Sequence, residues 1–319
     1  MNASIWTLVA QRILLGLLLI FLSSALIFAG TQLLPGDVAQ AILGQSATPE
    51  ALANLRAELG LNVPVYQRYV SWLVGLLHGD MGTSLTNGQD IATAIGRRLA
   101  NTLFLAASAA IISVPLAIIL GLVSVLYRNR WPDKLISAVT LASISVPEFM
   151  LSYILVFYFA VQLGWAPSVA MISPSMSVLE RFQAITLPVI VLVMVVLAHM
   201  MRMTRAALLN VMQSAYIETA ELNGLGRFKV IWRYAMPNAV APIVNVVMLN
   251  MAYLVVGVVV VEVVFVYPGM GQYLVDHVAK RDVPVVQDCG IIFAAVYITL
   301  NMLADIFSIL ANPRLRHPR

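Results

Sequence analysis

Six long apolar segments run through this chain of 319 residues and restrict its fold more than any other feature. Each is close to the roughly 20 residues that an α-helix needs to cross the hydrocarbon layer of a bilayer. They occupy residues 6–30, 102–127, 135–162, 185–201, 239–267 and 289–311. The pattern predicts a protein that crosses a membrane several times.

These segments are predicted to be helices. A helix satisfies all its backbone hydrogen bonds within one segment, as lipid requires, and the alternating pattern of barrel strands is not seen. Apolar residues make up 61% of the chain and charged residues 11%, and the mean hydropathy is +0.89. Since no Pro/Gly-rich linker separates a second unit, we expect an all-α bundle of six transmembrane helices, with residues 1–319 as a single domain.

Basic residues predict the orientation of the bundle. They flank alternate segment ends on one side, which the positive-inside rule assigns to the cytoplasm. They are Arg12, Arg128, Arg130, Lys134, Arg202, Arg205, Arg227, Lys229, Arg233, Arg314, Arg316 and Arg319. Arg97 and Arg98, near the second segment on the outer side, oppose this assignment but are outnumbered. Both termini are therefore expected in the cytoplasm.

The connection between the first two segments, residues 31–101, is expected to lie outside. Pro49 follows Thr48 as in a capped helix start, and Gly60 ends the helix predicted for residues 51–59. Apolar positions at helical spacing in residues 65–77 predict a second helix lying on the bundle or on the membrane surface.

No enzyme chemistry is predicted for this chain. It has no phosphate-binding loop, zinc-binding HExxH helix or GxSxG serine motif. The cluster of His199 with Met200, Met201 and Met203 is interpreted as packing, and Cys289 is the only cysteine, so no metal or cofactor is expected. Although the net charge is +4, the basic residues lie between apolar runs and not on one soluble face, so no nucleic-acid partner is expected.

The polar segment of residues 206–238, between the fourth and fifth apolar segments, is a candidate docking surface. Ile217, Leu225, Phe228 and Ile231 are predicted to gather on one side of it. By this pattern alone, a solvated amphipathic helix would look the same.

A motif in that segment resembles the EAA loop of binding-protein-dependent ABC permeases. Glu218-Thr219-Ala220 is followed after three residues by Gly224, and the motif ends at Pro237. Thr219 stands where the family usually has a first alanine, and Tyr234 and Met236 replace isoleucine and leucine. In the family this loop docks on the ATPase. The resemblance assigns that coupling role here to Glu218, Thr219, Ala220, Gly224, Leu225, Phe228 and Pro237.

Further motifs resemble the dipeptide/oligopeptide branch, in particular the first of its two permease subunits. The outer connection contains LPGD at 34–37, LRAELGL at 55–61 and HGDMGTSL at 78–85. The second half contains YPGMGQ at 267–272, DVPVVQ at 282–287, AD at 304–305 and NPR at 312–314. The resemblance covers essentially the whole chain.

This resemblance implies a type I ABC importer of di- or oligopeptides in the cell inner membrane. The expected partners are a second homologous permease, two ATPase subunits that bind ATP and Mg²⁺, an extracytoplasmic solute-binding protein and membrane lipid. Nickel, opines, glutathione or oligosaccharides are alternative solutes, because relatives of this branch also carry them. An ion-coupled secondary transporter is a further alternative, although the inverted repeats typical of that class are not found.

Three carboxylates at or near membrane depth are candidates for the translocation pathway, because a charged side chain exposed to lipid is costly. Glu262 is interpreted either as a contact for a peptide amino terminus or as a structural partner. Glu148, which follows Pro147 and interrupts the third segment, marks a kink that lines the pathway or one that serves packing. Asp305 is interpreted as structural.

Overall fold

The computed structural model describes residues 5–33, 38–43, 47–58, 60, 62–173 and 175–311. Several sequence predictions fall outside these residues: the LPGD motif at 34–37, Leu59 and Leu61 of the second motif, and the basic chain end at 312–319.

Within the described residues the chain is helical, with a single isolated bridge between Thr83 and Asp90. The helices are α1 (Ile5–Gln32), α2 (Val38–Leu43), α3 (Pro49–Glu58), α4 (Val65–His78), α5 (Ile91–Leu126), α6 (Trp131–Ser145), α7 (Glu148–Leu155), α8 (Val178–Ala184), α9 (Thr186–Met212), α10 (Ala215–Leu222), α11 (Arg227–Val230), α12 (Met236–Val264), α13 (Met270–Ala279) and α14 (Val283–Ala311). Two π-helical stretches, Val156–Gln162 and Ile231–Ala235, continue α7 and join α11 to α12.

The structure contains six candidate membrane spans when one bent helix pair is counted as a single span, in agreement with the predicted bundle. Five helices are long and apolar enough to cross a bilayer: Trp6–Gln32, Ile91–Leu126, Thr186–Met212, Arg227–Val264 and Val283–Phe307. The sixth is the pair Trp131–Ser145 and Glu148–Gln162, bent by 101°.

Pro147 explains this bend. It follows Val146, whose backbone is extended (φ −93°, ψ 125°), and it adopts φ −57°, ψ 140° itself. The residue before a proline is disfavoured in the helical conformation, so α6 ends there and α7 begins anew. The predicted interruption of the third segment is therefore confirmed.

Several spans extend beyond their apolar segments. The second was predicted to begin at residue 102, but α5 begins at Ile91 because the Asp90 side chain accepts a hydrogen bond from the Thr93 backbone N–H at 2.8 Å. Hydrogen bonds from Thr93 also lower the pKa of Asp90 below its usual value. Likewise, α9 continues past residue 201 to Met212. Hydrophobicity marks the part of a helix that lies in lipid, whereas caps determine where the helix ends.

The core lies among α5, α9 and α12. Small residues on α5, including Ala109 and Gly121, let α9 approach closely, as is typical of membrane helix pairs. A Cβ on Gly121 would lie only 2.9 Å from the Thr204 side chain. α14 packs on α12, and α1 packs mainly on α14 at the edge of the bundle.

The outer connection is attached to the bundle by polar and aromatic contacts. On α4, Trp72 donates a hydrogen bond to Asp288 of α14 at 2.8 Å, and its ring packs on Phe28 of α1. Further along, Ser84 donates to Asp282 at 2.6 Å. The two predicted helices are present as α3 and α4, and α4 lies on the bundle surface.

Candidate functional site

The segment between α9 and α12 forms a compact projection, here named the helical loop (residues 213–235). α10 ends at Leu222, and Asn223 and Gly224 follow as its C-terminal cap. Gly224 has φ +75°, a left-handed conformation that favours glycine. The Gly224 N–H donates to Glu221 O at 2.9 Å, which closes the turn.

One face of the helical loop is buried. Ile217 and Ala220 pack with Val230 and Ala235, and Leu225 is half-buried against the same cluster. Ala220, from the EAA-like motif, is thus a packing residue that holds α10 against the base of α12.

The other face is exposed. The side chains of Glu218, Thr219 and Glu221 are open to solvent, and Leu222 is 81% exposed. An ideal Cβ on Gly224 would meet no atom within 4 Å. This face carries acidic groups and one large apolar side chain, and nothing in the described residues covers it.

Phe228 and Ile231 lie apart from Ile217 and Leu225, so the prediction that these four side chains gather on one side is wrong for two of them. Phe228 and Ile231 instead line an apolar pocket of about 240 Å³ together with Trp232 and residues of α5 such as Ile119 and Leu122. Pro237 is exposed in the first turn of α12.

Two arginines make contacts between elements that the sequence analysis did not predict, one from the helical loop to α5 and one between α9 and α6. Arg227 donates to Val125 O at 3.1 Å, at the end of α5. Arg205 of α9 forms an ion pair with Asp133 of α6 at 2.9 Å, and Ser124 bonds to both. The signal available in the sequence was the acidic residue Asp133, which stands in a cluster of basic residues.

A cavity of about 590 Å³ lies beside the bend between α6 and α7. Val195, Val196 and Leu249 form part of its apolar wall. Its polar lining residues are Ser143, Glu148, His199, Arg202, Asn250, Tyr253 and Tyr297.

Charged groups of both signs face this cavity. Glu148 is the first residue of α7, and its Oε1 is buried without a hydrogen-bond partner in the described part of the chain. Arg202 lines the cavity from α9. His199 Nδ1 lies 3.2 Å from Asn250 Oδ1, which joins α9 to α12.

The other two pathway candidates do not line this cavity. Glu262 is fully buried, and its carboxylate accepts hydrogen bonds from Thr102 at 2.6 Å and from the backbone N–H groups of Gly271 and Gln272 at 2.7 and 3.1 Å. It therefore holds the turn after α12 against α5. Asp305 forms an ion pair with Arg12 at 3.1 Å, which joins α14 to α1.

The described residues contain no group of three or more His, Cys, Asp or Glu side chains arranged to hold a metal ion.

Comparison with known proteins agrees with this architecture. Residues 113–317 match the family described as "Binding-protein-dependent transport system inner membrane component", and residues 5–106 match the N-terminal model of the same kind of membrane component. The chain belongs to this family. It is a permease subunit of the binding-protein-dependent ABC importers, with the all-α architecture of the type I class.

The permease is similar over nearly its full length to named relatives. A Brucella abortus (strain 2308) protein whose name describes a peptide transport system permease is 34% identical over 310 residues, 97% of this chain and 99% of the relative. The glutathione transport system permease protein GsiC of Escherichia coli (strain K12) is 34% identical over 305 residues, 95% of this chain and 97% of the relative. The larger family match includes both the helical loop and the cavity.

Proposed function

We propose that this permease forms one half of a translocation pathway for peptides, together with a second homologous permease subunit. Two ATPase subunits dock on the helical loops, and a solute-binding protein delivers the solute from the outer side. The main support is the exposed face of the helical loop. Glu218, Leu222 and Gly224 on this face are not among the residues that pack the loop against the bundle, so they remain available to a partner.

The same proposal assigns the sides of the membrane. With the bent pair counted as one span the chain has six candidate crossings, and an even number of crossings supports both termini on one side. Basic residues concentrate at the ends of the spans near the helical loop. Both termini and the helical loop are therefore assigned to the cytoplasm, and α3 and α4 to the outer face. The membrane is assigned as the cell inner membrane, in keeping with the family description.

ATP and Mg²⁺ are bound by the partner ATPases in this proposal. Closure of the ATPase pair draws the docked helical loops together and biases the bundle between inward-open and outward-open states. Each ligand then acts through its different affinity for those states. The permease contributes the pathway and the coupling.

Peptides are the proposed solutes because the two relatives described above are named for peptide and glutathione transport. Glutathione is itself a small peptide and is the second candidate. Nickel, opines and oligosaccharides have no comparable support among these names. The family assignment favours the ATP-driven importer over an ion-coupled carrier.

Reconstitution tests this proposal. Proteoliposomes containing both permeases and the ATPases, supplied with the binding protein, are expected to take up labelled dipeptide only when ATP is enclosed with the ATPase subunits. Vesicles prepared without the ATPases are the control. Uptake that persists in those vesicles and follows an ion gradient would instead support the ion-coupled carrier.

A further inference from the structure

The cavity beside Pro147 contains a carboxylate oxygen that is buried and has no partner. Glu148 Oε1 has no hydrogen bond within the described residues, although it lies in the bent third span. A carboxylate at this depth is costly unless water, a cation or a hydrogen-bond donor reaches it. Glu148 also lines the open cavity, so its carboxylate group lies beside space that water or a solute can occupy.

Glu148 is not needed to form the bend itself. The extended backbone of Val146 and the fixed φ of Pro147 already account for the break between α6 and α7. A glutamine or an apolar residue at position 148 would leave those backbone restrictions in place. The bend therefore supplies no structural reason for a negative charge at this position.

Arg202 supplies the opposite charge on another wall of the same cavity. Val195, His199 and Arg202 share one face of α9 at spacings of four and three residues. At 1.5 Å per residue, the wall from Val195 to Arg202 is about 10 Å long. A dipeptide in extended conformation is about 7 Å long and a tripeptide about 10 Å. The wall that α9 gives to the cavity is therefore as long as a short peptide.

We propose that this cavity binds short zwitterionic peptides during translocation, with the ammonium group at Glu148 and the carboxylate at Arg202. The pair formed by His199 and Asn250, together with the Tyr253 hydroxyl, offers donors and acceptors for the peptide bond between them. Binding is weak, because a pathway site must release its solute. The inference rests on the proposed role of this permease in the peptide pathway.

A cysteine probe in the assembled transporter tests the charge of the cavity. Leu249 lines the cavity and is 45% exposed, whereas the native Cys289 is fully buried. The Leu249→Cys complex is treated with cationic and anionic methanethiosulfonates of similar size. Glu148→Gln should lower the ratio of cationic to anionic reaction rates about five-fold, and Arg202→Gln should raise it by a similar factor. Glu148→Asp should restore most of the original ratio.

Asn223→Cys on the exposed turn of the helical loop is the matched control, because it lies outside the cavity. Its reaction ratio should be unaffected by either charge substitution. Copurification with the partner subunits establishes that each variant is folded. An unchanged ratio at Leu249→Cys in folded Glu148→Gln complexes would overturn the proposal.

Protection experiments identify the ligand class. Millimolar dialanine should slow labelling of Leu249→Cys, whereas N-acetyl-dialanine and dialanine amide should protect less because each lacks one charge. Equal protection by all three compounds would contradict a zwitterion site. If all three compounds protect equally and the unmodified complex still takes up dipeptide with ATP, the zwitterion site is contradicted but the proposed function is not. Selective protection without ATP-dependent uptake would instead contradict the proposed function.

Discussion

The guanidinium group of Arg205 on α9 lies 2.9 Å from the carboxylate of Asp133 on α6, whose side chain is only 5% exposed. Ser124 of α5 bonds to both residues, so three helices meet at one ion pair. The next residue, Val125, accepts the hydrogen bond from Arg227 that connects the helical loop to the bundle. The ion pair and the attachment of the helical loop therefore contact adjacent residues of α5.

Replacing Arg205 by an uncharged residue should destabilise the permease. In Arg205→Met the buried Asp133 carboxylate loses its partner, and we expect a loss of up to about 3 kcal/mol because an unpaired buried charge is more costly than no charge. Asp133→Asn combined with Arg205→Met should recover much of the loss. Thermal unfolding of the purified permease in detergent measures both variants. A single variant as stable as the double variant would contradict this role for the pair.

The first turn of α13 should be intolerant of added volume. A Cβ on Gly271 would lie 2.7 Å from the Val259 Cα and 2.9 Å from the Glu262 carboxylate. Gly271→Ala should therefore destabilise the permease by about 1–3 kcal/mol through overpacking.

Gly96→Ala is the matched control for this turn. Gly96 is helical and has no atom within 4 Å of an ideal Cβ, so alanine there should be neutral or stabilising. Equal thermal unfolding temperatures for the two variants would show that the close packing around Glu262 is not important for stability.

The sequence predicted which segments cross the membrane but not how far their helices extend. Spanning length and the Pro147 interruption follow from local rules of hydrophobicity and backbone geometry. The earlier start of α5 depends on the Asp90 cap, which an apolar pattern does not reveal. The position of Phe228 depends on packing against α5, a part of the chain more than 100 residues away.

The contacts that the sequence did not predict are mainly those between residues far apart in the chain. Arg205 and Asp133 are 72 positions apart, and Glu262 bonds to Thr102 across 160 positions. Partners of this kind are determined by how the helices pack, which one sequence does not specify. Consequently Glu262, a pathway candidate from its charge alone, lies near the end of α12 and is hydrogen-bonded to α5 and to the start of α13.

Sidedness can be measured with two single cysteines. Glu50 on α3 and Gly226 in the helical loop are both exposed, and the native Cys289 is fully buried. In intact cells with a permeabilised outer barrier, an impermeant maleimide should label Glu50→Cys, whereas Gly226→Cys should react only after the inner membrane is opened. The reverse pattern would overturn the assignment of both termini to the cytoplasm.

Replacing Glu218, the exposed acid of the EAA-like motif, should have only a small effect on binding of the ATPase. Glu218 is open to solvent on the outward face of α10. If it pairs with a cation of the ATPase, Glu218→Lys should weaken association by about 0.2–1 kcal/mol for the lost pair, with some added repulsion. The weakening should decrease as salt is raised, because exposed charges are screened. Binding of purified ATPase at two salt concentrations measures this, and a salt-independent loss would indicate a different cause.

Gly224 offers the sharpest test of the helical loop as the coupling surface. Gly224→Trp adds both left-handed backbone strain, about 1–2 kcal/mol, and a bulky side chain on the exposed face. Gly88 in the outer connection is matched, since its φ is +66° and it likewise has no atom within 4 Å of an ideal Cβ. Both tryptophan variants should therefore insert and fold alike, with similar unfolding temperatures. Only Gly224→Trp should lose copurification with the ATPases, and ATP-driven uptake should be lost with it. If Gly224→Trp and Gly88→Trp complexes retain their ATPases equally, the helical loop is not the docking surface, because strain and side-chain size are the same in the two variants and only position differs.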